Sequence, residues 1–380
     1  MRGRPPVYIV LPVSGGPAGG AEKRFTQLWC HLLREAALPY EPRLVLEDRL
    51  LESLSRATEF PELTTSRSLV VPVDARTLSP MGLRAFSRAR QREDARSVFH
   101  YVLVAPAPSR AVGKRTLYSI TAARIDRINF NTTARALLYA SALNSARIDT
   151  LDPKVRRHLS TLFPWKQSSI SVTPNTSIDL EHYAPGPFEK RRNRLVFLGT
   201  FLRKKQAFRL LDQLPEIDAT LRKAGIADPE WAFIGRDNAG EGESAVARCT
   251  SLREERGINV SAFYSDNPQE ELQQSKIFFS VQFLENYPSK SLAEALACGV
   301  HPIITDVGQS RRMATEDFAS FVSREFTARE ISEKCVAVLA LDRDTYDAKV
   351  AAARSFAAKH FSVGTMVAYY RQLHETLVLG

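Results

Sequence analysis

The sequence predicts an α/β protein built from two Rossmann-like, doubly wound parallel sheets. Three observations carry the prediction. Short apolar runs alternate with helix-spaced segments along nearly the whole chain. The runs of the second half are apolar throughout, as strands covered by helices on both faces are. The pattern occurs twice in 380 residues, a length that exceeds one ordinary hydrophobic core.

In the first half the strand candidates are "VYIVLPV" (7–13), "LVVPV" (69–73), "YVLVA" (101–105) and "SISV" (169–172). Between them, "GGAEKRFTQLWCHLLREA" places Phe25, Leu28, Trp29, Leu32 and Leu33 at helical intervals. "ASALNSARIDTLDPKVRRHLSTLF" reads as helical on both sides of Pro153, where a new helix can begin. In the second half, strands are expected at "RLVFLG" (194–199), "WAFIG" (231–235), "INVSAF" (258–263), "IFFSVQF" (277–283), "HPIIT" (301–305) and "ASFV" (319–322), with helices between nearly all of them. The join falls near "DLEHYAPGPFEKRRNR" (179–194), which holds two prolines, a glycine and a charge cluster. This gives domains of 1–180 and 181–380. The amphipathic segment at about 364–380 is expected to pack back toward the first domain.

Composition narrows the class. Hydrophobic residues are 44% and charged residues 25%, ordinary for a globular protein, and no stretch is long enough to span a bilayer. "MRGRPPVYIVLPV" has no small-residue cleavage pattern after its short apolar run and reads as a first strand, not a signal peptide. Cys30, Cys249, Cys298 and Cys335 are scattered with no CxxC pair, which indicates neither a disulfide framework nor a zinc site and fits a reducing cytoplasm. The net charge of +10 is uneven. Residues 1–180 hold 26 Lys/Arg and 15 Asp/Glu, whereas residues 181–380 hold 26 and 27. The basic half is either a plain solvated face or a surface for something anionic, such as a membrane leaflet or a charged acceptor. No nucleic-acid motif accompanies the charge.

Ligands of open parallel sheets bind beyond the carboxyl ends of the strands, and three loops there stand out. "SGGPAGGAEK" follows the first strand; Gly19 and Gly20 let backbone approach an anion at the next helix start, although the loop is neither GxGxxG nor a P-loop. "FLGTFLRKKQAF" follows strand 194–199 and puts Arg203, Lys204 and Lys205 at a helix start, where cations are disfavoured unless an anion joins them. A solvated charge run is the alternative. "ENYPSKSLAEALACGVHPIITDVG" (285–308) opens with polar groups and then packs tightly. Pro288 suits a first helical turn. N–H groups near Ser289, Lys290 and Ser291, with two hydroxyls and an ammonium, suit a diphosphate. Glu294, about one and a half turns further on, suits a ribose diol; its alternative is an ordinary exposed glutamate.

This last stretch resembles the donor-site signature of retaining glycosyltransferases of family 4 (glycosyl transferases group 1), whose pattern is a Glu, then Gly, an aromatic, Pro, four residues and a second Glu in "EAxAxG", followed by a "PVVATDVGG"-like strand. "GGAEKRFTQL" looks like that family's glycine-rich loop, "TPNTSIDLEHY" is similar to its interdomain segment, and "FLGTFLRKK" to its strand followed by "GR…K". The resemblance implies the GT-B architecture, two Rossmann-like domains facing a cleft, the first for the acceptor and the second for a nucleotide sugar. It implies sugar transfer from a nucleoside-diphosphate sugar to a glycan, lipid-linked or other acceptor, with retention at the anomeric carbon and neither metal nor cofactor. Lys205 and Arg203 would meet the diphosphate, Glu294 the ribose, and Glu285 or Asn286 the sugar, so that Asn286, Glu285 and Lys205 are the catalytic candidates. Spacing leaves the last choice open: Asn286 is eight residues before Glu294, whereas Glu285 is three before Pro288. Thr200 stands where the family has Arg. The expected place is the cytoplasm, at the inner face of a membrane. The alternatives are an inactive GT-B glycan-binding or scaffold module and a nucleotide-sugar epimerase on the same fold.

Overall fold

The computed structural model describes residues 3–12, 20–56, 60–103, 114–120, 132–173, 177–235, 244–265 and 267–380. The chain folds into two compact units. One holds Met1–Asn175 together with Val363–Gly380, the other Thr176–Ser362. The division therefore falls a few residues before the 180/181 boundary expected from sequence. The proline-rich stretch 179–194 lies inside the second unit, and the last helix is grouped with the first.

In the first unit, β1 (Pro6–Val10), α1 (Gly20–Arg34), β2 (Glu41–Glu47), α2 (Asp48–Ser55), α3 (Glu62–Thr65), β3 (Val70–Val73), α4 (Pro80–Glu93), β4 (Val98–Val102), β5 (Thr116–Ile120), α5 (Thr132–Asn144), β6 (Arg147–Thr150), α6 (Pro153–Leu162) and β7 (Ile170–Val172) follow in order. The seven strands form one parallel sheet in the order β3-β2-β1-β4-β5-β6-β7. Phe25, Leu28 and Leu32 of α1 and Leu50 and Leu54 of α2 pack on one face together with Met366, Tyr370 and Leu377 of the C-terminal helix Val363–Leu379. Leu83 of α4, Leu138 and Ala142 of α5, and Val155 and Leu159 of α6 cover the other.

Three of these strands escape the sequence reading. β2 begins with alternating charged residues. β5 carries hydroxyls, and β6 is "RIDT", with one aliphatic residue. β6 lies inside a segment expected to be helical. Only beyond it does α6 start, with Pro153 in its first turn and the Asp152 side chain accepting from Lys154 N–H at 2.7 Å. The expected strand 101–105 is centred instead on "VFHYV" (98–102).

The misreadings of β4, β5 and β6 share a cause. The middle of the sheet buries a polar chain. Tyr370 and Ser119 both donate to Asp149, Tyr370 at 2.8 Å. Ser119 has spent its one proton, so His100 Nε2, 2.6 Å away, is the donor of that pair. His100 Nδ1 then accepts from His374 Nε2 at 3.0 Å, and His374 Nδ1 from the Tyr40 hydroxyl at 3.3 Å. On the other branch Arg24 donates to Thr173 at 3.0 Å, and Thr173 to Tyr370 at 3.2 Å. Every donor points toward one carboxylate. Burial holds both imidazoles neutral: it pushes His374 down to about 3, and it pushes His100 down, with help from the charge of Arg24. Burial pushes Asp149 up to about 6 against its hydrogen bonds.

The second unit runs β8 (Arg194–Leu198), α7 (Ala207–Lys223), β9 (Glu230–Ile234), α8 (Ala245–Arg256), β10 (Val260–Phe263), α9 (Pro268–Gln273), β11 (Ile277–Ser280), α10 (Lys290–Ala297), β12 (His301–Thr305), β13 (Ser320–Val322), α11 (Ala328–Leu339) and α12 (Arg343–Phe361). Its sheet is parallel, ordered β10-β9-β8-β11-β12-β13. Every strand expected here is present, with ends that agree to within three residues. The interior is dry: Phe197, Trp231, Phe233, Phe279 and Ile303 pack with Leu210, Leu211 and Leu214 of α7 on one face. Val196, Ala232, Phe278 and Ile304 pack with Leu292, Ala293, Ala295 and Leu296 of α10 on the other. Strand order reverses direction between β8 and β11, which is where such sheets open a ligand crevice.

Candidate active site

At that switch point β8 is followed by Gly199, with φ +153°, and β9 by Gly235. The two backbones touch. A Cβ on Gly235 would lie 1.8 Å from the Gly199 carbonyl oxygen, so no larger residue fits. Beyond Gly199 the chain makes a 3-10 turn, Arg203–Lys205, and Gln206 in a left-handed conformation (φ 51°) leads into α7. Arg203 and Lys204 are exposed, whereas Lys205 folds back. Its Nζ would stand 3.0 Å from a Cβ at Gly199, over the end of β8. Among the described residues no carboxylate pairs with it. Burial, and then the charge of Lys204, hold its pKa below the ordinary lysine value. An ammonium kept short of counter-charge at a strand end is poised to take an anion.

The third loop sits beside it. Phe283 N–H donates to the Lys204 carbonyl at 2.9 Å, tying the turn to the segment that leads into Glu285. Glu285 and Asn286 line one small pocket with Ser280, Ser289, Thr305 and Ser310. Asn286 is exposed. Glu285 is half-buried and lies across Gly308, whose φ of +60° and missing side chain make room for it: a Cβ there would come within 2.4 Å of the Glu285 carboxyl carbon. Both competitors for the sugar-contacting role are thus at one place.

Helix α10 starts at Lys290, so Pro288 lies before the cap and not in the first turn as expected. Ser289 is the cap. Its buried hydroxyl accepts from Leu292 N–H at 3.4 Å, which makes it a helix-holding group first, and it lies 3.5 Å from the Ser291 hydroxyl. The Lys290 ammonium stands 3.7 Å from Glu294 Oε1. Glu294 is buried, against the reading of an exposed glutamate, and accepts a hydrogen bond from the Tyr183 hydroxyl at 3.0 Å.

The far end of α10 explains how its start is held. Arg191 donates to the Cys298 carbonyl at 2.6 Å and Arg354 to that of Ala297 at 2.8 Å, so one buried and one half-buried guanidinium satisfy the carbonyls where the helix dipole is negative. Arg354 also binds the carbonyls of Leu180 and Tyr183. Sequence reasoning missed Tyr183, Gly235, Gly308, Arg191 and Arg354. The glycines were visible as strand-end punctuation, but Arg191 was hidden in a stretch that reads as a linker, and Arg354 sits within α12. Of the remaining candidates, Gly20 opens α1 and Gly19 falls outside the described residues.

Residues 181–355, most of the second unit, match the model of the family Glycosyl transferases group 1. The fold over nearly the whole chain is that of several solved structures. A glycosyltransferase from Rickettsia africae aligns with a TM-score of 0.73 at 13% identity, covering 99% of each chain. HepE of Anabaena, solved in complex with UDP and glucose, aligns with a TM-score of 0.67 at 13% identity over 97% of this chain and 99% of its own. Sucrose-phosphate synthase from Thermosynechococcus elongatus aligns at 0.65 and 15%, over 99% and 100%. The two parallel-sheet units are the GT-B plan. Comparison with curated protein sequences finds no significant match.

Proposed function

We propose that the protein is a glycosyltransferase that binds a nucleoside-diphosphate sugar on its second unit and transfers the sugar, with retention, to a glycan or lipid-linked acceptor held by the first. The observation that carries this reading is Lys205, a half-buried lysine with no carboxylate partner among the described residues, lying over Gly199 at the switch point of the unit that matches the group 1 family. Lys205, with Arg203 and the N–H groups that open α10, would stabilise the departing diphosphate. The anomeric C–O bond to phosphate breaks, a new one forms to the acceptor oxygen on the same face, and the acceptor's proton passes to the leaving phosphate. Glu285 or Asn286 would hold the sugar hydroxyls meanwhile. Neither metal nor cofactor has a part in this scheme. Glu294 would have to serve the ribose while keeping its bond to Tyr183.

A second reading, an inactive glycan-binding or scaffold module, draws on Asn286 and Thr200 standing where the family has Glu and Arg. Incubation with a panel of labelled nucleotide sugars, followed by assays for hydrolysis and transfer to a crude glycolipid fraction, separates the two. Turnover of any donor supports the enzyme. Donor binding with neither hydrolysis nor transfer supports the module.

A further inference from the structure

The excess positive charge of the first half is concentrated further than the half itself. Residues 95–178 contain 12 Lys/Arg and three Asp/Glu, all aspartates. Asp149 and Asp152 are buried, and Asp126 falls outside the described residues. From Pro153 to Ile178 there is no acidic residue at all. That stretch comprises α6, the 3-10 segment Pro164–Ser169 and the edge strand β7, so the carboxylate-free surface forms one rim of the first sheet. Lys154, Arg156, Arg157 and His158 are all exposed on α6.

An apolar tip stands beside this charge. Val155 and Leu159 are buried, but Leu162, next on the same stripe of α6, is 42% exposed, and Trp165 three residues on is 72% exposed. The other two tryptophans, Trp29 and Trp231, are fully buried. Trp165 is not on a loose end. Phe163 is buried beneath it in edge contact at 6.0 Å. Lys166 Nζ donates to the Ser145 carbonyl, and Arg147 to the Ser168 carbonyl at 3.2 Å, so the segment is fastened to the sheet on both sides of the indole. A fixed, protruding Trp and Leu at the end of a helix that exposes Lys154, Arg156 and Arg157 has one ready complement, the interface of an anionic bilayer, where indole sits at headgroup level and lysine and arginine meet lipid phosphates.

We propose that α6 and the segment Pro164–Ser169 form a docking surface for anionic membrane, with Trp165 and Leu162 entering the interfacial layer and Lys154 and Arg157 engaging headgroups. This gives the charge asymmetry a specific address and does not depend on the transfer reaction. Vesicle flotation at low salt tests it, using phosphatidylcholine with and without phosphatidylglycerol. The intact protein should float with the anionic vesicles and not with the neutral ones, and salt should release it. Trp165→Ala should weaken binding by about tenfold, and the double change Lys154→Glu, Arg157→Glu should abolish it. The same charge change at Lys223 and Arg253 of the second unit should leave it intact. All these positions are exposed, and circular dichroism checks that each variant keeps its fold. The proposal is overturned if the protein stays with the soluble fraction, if Trp165→Ala and the charge reversal both float like wild type, or if a duplex oligonucleotide displaces it from vesicles.

Discussion

The two units build the same kind of sheet from opposite interiors. The first runs a chain of hydrogen bonds through its centre, from Tyr40 and Arg24 at its ends to Asp149 in the middle. The second is filled with stacked aromatics and aliphatic residues, such as Trp231 on Phe279 with ring centroids 6.0 Å apart. The difference teaches that a parallel sheet does not need a dry centre when its buried polar groups are chained to a common acceptor. It also fixes how each unit should fail.

The dry interior is the easier to break. Phe279→Ala should cost about 3–5 kcal/mol through the cavity it leaves, and Phe279→Leu much less. Asp149→Ala removes the acceptor on which the chain converges and leaves buried hydroxyls of Ser119 and Tyr370 unsatisfied, at about 1–3 kcal/mol for each group. Denaturant unfolding followed by the fluorescence of Trp231 in one unit and Trp29 in the other should assign each loss to its own unit. Equal losses at both tryptophans would show that the two interiors do not melt separately.

Next in size is a change that should touch binding and not folding. Charge-assisted bonds to phosphate are worth about 1.5–3 kcal/mol each, so Lys205→Ala should weaken nucleoside diphosphate binding about tenfold or more by calorimetry. Its melting temperature should hold or rise, because the variant no longer half-buries a cation that has no carboxylate partner among the described residues. Unchanged affinity would remove Lys205 from the donor site.

The pH response is smaller and carries a sign. Asp149 is pushed up to about 6 in the folded protein, so it contributes stability at low pH that is lost as pH rises through that value. Asp149→Asn abolishes this loss while giving up one acceptor. Measured against wild type, the variant should therefore compare better at about pH 7.5 than at about pH 4.5. A difference in melting temperature that is flat with pH, or runs the other way, would mean that Asp149 is ionised throughout.

The finest distinction concerns two neighbours in one pocket. Asn286→Ala is expected to lower turnover with the true donor more than Glu285→Ala does, because Asn286 keeps the family spacing to Glu294 and its side chain is exposed to the pocket. The reverse ranking would give the sugar-contacting role to Glu285, which already lies across Gly308.

Legibility followed the same division. In the second unit every strand was readable, because Leu195–Leu198, Trp231–Ile234 and Ile277–Phe279 are uniformly apolar, and their glycine ends marked the ligand side. In the first unit the residues that complete the polar chain also hid the strands. His100 shifted β4 in the reading, and Asp149 left β6 looking like part of a helix. A buried carboxylate that is satisfied by partners 30 and 221 positions away has no local signature. Lys205, Glu285 and Ser289 were legible as candidates because helix starts and strand ends announce themselves. Tyr183, Arg191 and Arg354 were not, because each acts on carbonyls or a carboxylate brought near by the fold.

The C-terminal helix has a further consequence, for synthesis. Met366, Tyr370, His374 and Leu377 belong to the interior of the unit that begins the chain, yet the ribosome makes them after the whole of the second unit. The nascent first unit must therefore wait with His100 and part of one sheet face uncovered while the later unit acquires all its own residues. The unit encoded second is the one able to finish first, and a chain stalled before Val363 would display an open apolar groove in which Tyr40, His100, Asp149 and Thr173 each lack a hydrogen-bond partner, a natural mark for a chaperone or a protease.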